Sequence, residues 1–173
     1  MIITAGEFKG QKILTPDENI TRPTLSKVRM AVFNTLQALM DFNGKSFYDM
    51  YAGSGIIGLE ALSRGFDSLT SSEKNPKVVS VLKNNYKKFL SKKKINFVMG
   101  DAIKIAQKQS QIFDVVYIDP PYFSGVYENS LIAVRSIAKL VILEHVVDVD
   151  FTGWKVLKQK TYGGKTISFI EKE

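Results

Sequence analysis

The chain has 173 residues, 45% of them hydrophobic and 11% aromatic, and no cysteine; this suits a single domain with a real core and excludes a disulfide framework or a thiolate metal site. With His145 as the only histidine, a zinc or non-haem iron centre would rest almost wholly on carboxylates, so no metal is expected. The 24 Lys and Arg against 17 Asp and Glu leave a net charge of +7, an excess that suits a polyanionic partner through counterion release.

In chain order, a short extended stretch over 1–5 is broken by Gly6 and Gly10, which flank a segment carrying Lys9 and Lys12. Thr15-Pro16-Asp17 reads as a turn. A helix follows, with Thr24 as N-cap after Pro23, with Leu25, Val28, Val32, Leu36 and Leu39 at helical spacing, and with Asn43-Gly44 as its end. From there strand and helix alternate. The pattern predicts strands over 47–51, 68–72, 96–99, 114–118 and 140–143, the second of them unusually polar. It predicts helices over 56–64, over 75–90 with Asn75-Pro76 at its start, over 102–108 and over 127–137. The last two alternating runs, 154–161 and 166–170, form a hairpin around Gly163-Gly164.

Alternating strand and helix implies an α/β fold, a Rossmann-like parallel sheet with helices on both faces. Sites on such sheets lie at the carboxyl ends of the strands. The residues to inspect are therefore 49–55, Glu73, Gly100-Asp101, 119–122 and Glu144.

Gly53-Ser54-Gly55-Ile56-Ile57-Gly58 fits G-x-G-x-x-G between a strand and a helix, and Glu73 lies 20 positions after Gly53, where a carboxylate can accept from ribose hydroxyls. Alone, this pattern equally describes a dinucleotide site or a tight turn without a ligand. Asp49 shifts the balance, because a carboxylate beside the loop repels a pyrophosphate and suits an ammonium or a sulfonium. S-adenosyl-L-methionine carries both cations and is the expected cofactor. Asp101 either accepts from its adenine amino group or caps the helix that begins at Ala102.

Asp119-Pro120-Pro121-Tyr122 follows the apolar strand directly. Pro120 biases Asp119 away from helix and each proline fixes its own φ, so the strand end is rigid and extended. The Asp119 carboxylate and the Pro120 carbonyl can then accept the two N–H bonds of an exocyclic amine, with Tyr122 as a stacking face for a planar base. Two acceptors on the amine favour a pyramidal nitrogen and free its lone pair for methyl transfer, so orientation and electrostatics carry the catalysis. The bland alternative is a rigid turn that merely ends a strand.

With these motifs in place the chain resembles, nearly end to end, the RsmD-type bacterial ribosomal RNA guanine-N2 methyltransferases. Thr21-Arg22-Pro23-Thr24, Val28-Arg29 and Phe33-Asn34 are similar to the family's amino-terminal signature. Tyr51-Ala52-Gly53-Ser54-Gly55 with Gly58-Leu59-Glu60-Ala61-Leu62-Ser63-Arg64-Gly65 is the most specific stretch, and Asn84, Asp101 and the Asp119 tetrapeptide follow in order. The resemblance implies the seven-stranded class I S-adenosylmethionine-dependent methyltransferase sheet with a final reversed hairpin. It implies cofactor contacts from Asp49, Tyr51, Ala52, Gly53, Ser54, Gly55, Glu73, Lys74, Asp101 and Ala102. Its implied substrate is the N2 amine of a guanine in small-subunit (16S) ribosomal RNA, within an assembling particle. Lys27 stands where arginine is common, and the stretch from Tyr122 to Lys139 is short, which leaves the target nucleotide open.

Residues 1–43 are expected to form an RNA-facing extension of the same domain and 44–173 the catalytic core. Lys9, Lys12, Arg22, Pro23, Thr24, Lys27 and Arg29 are the candidate RNA contacts, with a helix-surface ion pair as the equal alternative for Arg29. The run Lys87, Lys88, Lys92, Lys93 and Lys94 reads first as a solvated helix end. His145 reads as a satisfied structural histidine, Glu144 as a pocket wall or a lysine partner, Trp154 as core, and Phe123 with Tyr127 as a lid. With no apolar run near the ~18 residues of a membrane span and no signal core, a cytoplasmic monomer is expected. Two other function classes compete: an NAD-binding oxidoreductase, supported by the glycine loop alone, and a non-catalytic RNA-binding assembly factor. Among methyltransferases, a DNA base or a tRNA is the alternative substrate.

Overall fold

The computed structural model describes residues 1–16, 26–121 and 125–173. In chain order they form α1 (Ser26–Leu39), β1 (Ser46–Asp49), α2 (Ile56–Ser63), β2 (Ser68–Glu73), α3 (Pro76–Lys87) and β3 (Lys94–Met99). Then come α4 (Ala102–Gln107), β4 (Phe113–Ile118), α5 (Val126–Val134), β5 (Ala138–His145), β6 (Trp154–Tyr162) and β7 (Lys165–Lys172). One seven-stranded sheet runs β3-β2-β1-β4-β5-β7-β6. The first five strands in that order are parallel; β7 enters antiparallel beside β5 and pairs with β6. The order reverses at β1 and β4, which is where an open α/β sheet leaves a crevice for a ligand.

Side chains alternate across the sheet and divide the core in two. Phe47, Val115, Tyr117, Leu140 and Ile142 pack towards α1, α2 and α3. Tyr48, Val116, Ile118, Val141 and Leu143 pack on the other face with residues of α4 and α5. Strands buried on both faces read as continuous apolar runs, which is why β4 and β5 are so plain in the sequence.

The expected elements are all present, with shifted ends. The last helix stops at Val134, short of 137, and β5 is longer than expected, Ala138–His145. The polar β2 is an interior strand whose hydroxyls have dedicated partners. Ser71 Oγ lies 2.6 Å from the Tyr86 hydroxyl, and Ser72 Oγ donates to the Met50 carbonyl at 2.7 Å. Buried hydroxyls cost little once hydrogen-bonded, so the strand tolerates them. Gly163 and Gly164, both at positive φ, make the two-residue turn of the terminal hairpin. Trp154 is core, and His145 is fixed by the Val147 carbonyl at Nδ1 and Ser168 Oγ at Nε2. No described helix is long and apolar enough to cross a membrane.

The amino-terminal segment packs on α2, with Ile3, Phe8 and Ile13 in the same cluster as Leu59 and Leu62. Arg29 corrects the sequence reading: it is 0% exposed, inside the protein rather than on a surface that RNA can reach. Its Nη2 donates to the Ile2 carbonyl at 2.8 Å, and its Nε lies 3.8 Å from Glu60 Oε2. Its charge suggests a surface contact, but Arg29 lies three and seven positions from the buried Val32 and Leu36 on the same helix face, and the backbone of Ile2 covers it. The basic run after α3 also meets this segment. Lys88 Nζ donates to the Lys12 carbonyl at 3.2 Å, Lys93 pairs with Glu7 at 3.3 Å, and Lys92 lies over the Phe8 ring. Lys9 and Lys12 themselves are exposed. Arg22, Pro23 and Thr24 lie outside the described residues.

Candidate active site

β1 ends at Asp49 and the chain turns through the glycine loop into α2. Backbone bonds hold the loop to the neighbouring strands: Met50 N–H to the Tyr117 carbonyl at 3.0 Å and Ala52 N–H to the Ser72 carbonyl at 3.0 Å. Gly55 has φ +81°, and a Cβ there would meet Tyr86 Cε1 at 2.5 Å; only glycine serves at that point. A Cβ on Gly58 would meet the Leu69 methyls at 2.6 Å, so the third glycine sets how closely α2 lies on the sheet. Asn85, fully buried on α3, donates to the Ser54 carbonyl at 2.9 Å and exchanges two bonds with the Leu14 backbone. It ties the loop to the amino-terminal segment, a role no sequence pattern signalled.

The loop opens on a cleft of about 360 Å³ at the carboxyl ends of the parallel strands. Met50, Tyr51 and Gly53 line it from the loop, Glu73, Lys74 and Asn75 from the carboxyl end of β2, and Asp101, Ala102 and Ile103 from beyond β3. Asp119, Pro120 and Pro121 line it beyond β4, and Lys165 from β7. Residues as far apart in the chain as Met50 and Lys165 thus share one cavity. Tyr122 lies outside the described residues. Asp49, Ala52, Ser54 and Gly55 are buried and do not line the cleft. They build the turn beneath it.

The electrostatics oppose a pyrophosphate. Gly53 N–H, the donor a phosphate would take, instead reaches Glu73 Oε2 at 3.0 Å. Glu73 Oε1 accepts from Lys74 and Asn75 N–H, both at 2.9 Å. At the start of α2, where a helix offers positive potential to an anion, Asp49 Oδ2 accepts from Gly58 N–H at 3.3 Å. Side-chain oxygens of Glu73 and Asp49 therefore occupy these two loop donors, and the Glu73 carboxylate adds negative charge beside Gly53. Asp101 caps α4 through Lys104 N–H at 3.0 Å, yet remains exposed and on the cleft wall, so the two expected roles are compatible. Among the described residues, no group of three or more His, Asp and Glu side chains is placed to hold a metal ion.

Asp119 sits 24% exposed at the end of β4, and Lys165 Nζ donates to its Oδ1 at 3.0 Å. The same ammonium donates to Glu144 Oε2 at 2.5 Å, and Glu144 Oε1 accepts from the Tyr117 hydroxyl. Burial alone would lower the Lys165 ammonium, but the carboxylates of Asp119 and Glu144 outweigh it and raise it above its ordinary value. Burial pushes the Glu144 carboxyl up, with Lys165 opposing. Lys165 was not singled out in the sequence, where it is one lysine among many beside a glycine turn.

Burial also pushes the Asp49 carboxyl up to about 8, against the pull of the Gly58 N–H and with the charges of Asp119, Glu73 and Glu144 adding. In the unfolded chain the same group titrates near ~3.9. Between these values the folded state holds a proton that the unfolded state has lost, so stability falls as pH rises through that window. Asp49→Asn, which cannot ionise, is expected to abolish this loss: urea midpoints of wild type and variant should diverge between pH 5 and pH 9, the variant keeping more of its stability at pH 9. Parallel midpoints would refute the assignment.

The family model described as conserved hypothetical protein 95 matches residues 1–171. A Haemophilus influenzae protein named ribosomal RNA small subunit methyltransferase D is 32% identical over 173 residues, covering 93% of this chain and 88% of its own. YlbH of Bacillus subtilis, described as a candidate rRNA methyltransferase, is 29% identical and covers 99% of both chains. The solved structure of Escherichia coli yhhF, described as a candidate methyltransferase, superposes with TM-score 0.87 at 24% identity, over 100% of this chain and 98% of its own. A Staphylococcus aureus structure described as a candidate caffeoyl-CoA O-methyltransferase superposes over 88% of this chain and 87% of its own with TM-score 0.71 at 12% identity. These likenesses show the fold: the Rossmann-like class I methyltransferase sheet.

Proposed function

The chain belongs to the RsmD family of methyltransferases, and from that premise we propose that it methylates the exocyclic N2 amine of a guanine in small-subunit (16S) ribosomal RNA, with S-adenosyl-L-methionine as donor. The observation that carries the reading is one cleft in which the Glu73 carboxylate takes the Gly53 N–H at one end and Asp119-Pro120-Pro121 forms the wall at the other.

The donor fits the residues present. Glu73, anchored through Gly53, Lys74 and Asn75 N–H, stands on the cleft wall to accept from ribose hydroxyls. Asp101 and Ala102, which line the cleft, would hold its adenine, and Tyr51 and Gly53 its methionine end. When bound, S-adenosylmethionine supplies an electrophilic methyl group on a sulfonium. The protein's own part is to hold the acceptor. The Asp119 carboxylate and the Pro120 carbonyl take the two N–H bonds of the amine, and Tyr122 gives the base a face. Asp119 stabilises the positive charge that builds on nitrogen and orients the amine, which asks for no strongly basic group. The guanine must leave its stack to reach the cleft, as methyltransferase substrates do. Lys9, Lys12, Arg22, Pro23 and Thr24 are the proposed RNA contacts, within an assembling small subunit and with the protein acting as a cytoplasmic monomer.

The deciding experiment maps methylated guanines of 16S ribosomal RNA by mass spectrometry in cells with and without the gene. One small-subunit guanine should lose its N2 methyl group and regain it on complementation; if none does, the substrate assignment fails. Purified protein should be stabilised against heat by S-adenosylhomocysteine and not by NAD, since a ligand that binds only the folded state raises its melting point.

A further inference from the structure

Asp119 is held by a neighbour 46 positions further along the chain, and that neighbour is itself held from inside the protein. Lys165 is the first residue of β7, directly after the Gly163-Gly164 turn, and it faces Tyr162 across the hairpin. Because β7 runs antiparallel to β5, its start lies beside the carboxyl ends of β4 and β5. Those ends carry Asp119, just beyond Ile118, and Glu144. The ammonium bridges the two carboxylates at 3.0 and 2.5 Å.

This is not a surface ion pair of small worth. The Glu144 side chain is 0% exposed, and its second oxygen is taken by the buried Tyr117 hydroxyl, so it cannot swing away. A fixed carboxylate fixes the ammonium, and the ammonium fixes Asp119 Oδ1. Without a cation between them, the buried Glu144 carboxylate and Asp119 on the cleft wall repel, and the more exposed one turns away. The arrangement also leaves the right charge: two anions and one cation give a net negative site beside an amine that becomes positive.

We infer that Lys165, anchored by Glu144 and Tyr117, is the positioning residue that sets the Asp119 carboxylate for the substrate amine. The inference rests on the proposed methyl transfer and adds a residue to it. Lys165 forms no bond to the reacting atoms; it acts by keeping the acceptor in one orientation.

The test is single-turnover methyl transfer to small-subunit particles lacking the modification, with RNA and donor saturating. Lys165→Met should lower the rate by about 10- to 100-fold, the scale of a misplaced catalytic group, while S-adenosylhomocysteine affinity and the RNA concentration for half-saturation stay within about twofold. Lys165→Arg, which keeps a cation of similar reach, should recover most of the rate. Glu144→Gln, a near-isostere, should show the same pattern more weakly, and it stands in if Lys165→Met fails to fold. Wild-type rate in Lys165→Met overturns the inference. So does a loss that Arg fails to rescue and that comes with equal loss of donor affinity and melting temperature, because it marks a purely structural contact. If wild-type protein binds S-adenosylhomocysteine yet transfers no methyl group to the particle, the proposed function fails and the inference falls with it. If wild type is active and Lys165→Met matches it, only the inference fails.

Discussion

Asp119→Ala is expected to lower the single-turnover rate of methyl transfer by about 10²- to 10³-fold, the range seen when one pre-oriented polar contact to a developing charge is removed. The loss should appear equally in kcat and kcat/KM, since the contact strengthens only as charge builds on the amine. Donor affinity should stay near the wild-type value, because the proposed donor contacts lie at the carboxyl ends of β1, β2 and β3 while Asp119 lies beyond β4. The fold should survive: Asp119 is a quarter exposed, and Lys165 keeps its bond to Glu144. Asp119→Asn, with one carbonyl acceptor and no charge, should fall between the two. A variant that methylates at the wild-type rate would reduce the tetrapeptide to a rigid turn and leave the family's chemistry to other residues.

Glu60→Ala is expected to be the most damaging single change to stability. Glu60 lies on α2 with 0% exposure and accepts from the Thr4 N–H at 3.0 Å, the Thr4 hydroxyl and Arg64 Nε at 3.0 Å. Arg29, also 0% exposed, lies 3.8 Å away. Burial lowers the Arg29 guanidinium and the Glu60 charge raises it, so the pair keeps the arginine ionised in a place where water does not reach it. Removing the carboxylate strands buried cationic groups, a loss of about 3–5 kcal/mol in comparable pairs. Against a domain stability of roughly 5–15 kcal/mol this is a large fraction. Urea denaturation should show the midpoint fall with an unchanged slope, and hydrogen exchange at the Thr4 amide should accelerate. A change below about 1 kcal/mol, the ceiling for most exposed pairs, would show that the cluster behaves as though solvated.

Much of the architecture was legible from local pattern. The apolar runs of β4 and β5 mark strands covered on both faces, and two caps read from sequence act as such. Asn75 accepts from the Lys77 N–H and Asp101 from the Lys104 N–H, both at 3.0 Å. The glycine loop and Asp119-Pro120-Pro121 are local too, because glycine and proline restrict the backbone whatever surrounds them. Their meeting in one cleft followed from the rule that parallel strands present their carboxyl ends together.

What failed to show were facts about partners far along the chain. β2 looked weak because its serines are polar, and nothing nearby revealed that Tyr86 and the Met50 carbonyl would satisfy them. Arg29 reads as a surface cation from its charge, although it shares a helix face with Val32 and Leu36; the Ile2 carbonyl takes its guanidinium inside the protein. Asp49 reads as a carboxylate that suits a cationic ligand and is a buried group whose carboxyl is raised by desolvation. Asn85, which no pattern in the sequence marks, joins two segments.

The sequence by itself thus determined the order of strands and helices, the loop that only glycine can form, and the rigid strand end at Asp119. Those depend on backbone restriction and side-chain periodicity within a few residues. Tertiary structure alone decided which charges are buried, which cation Asp119 meets, and which carboxylates take the loop donors. Burial and ion pairing depend on what packs against a residue, and in this protein the antiparallel return of β7 brings Lys165 to Asp119.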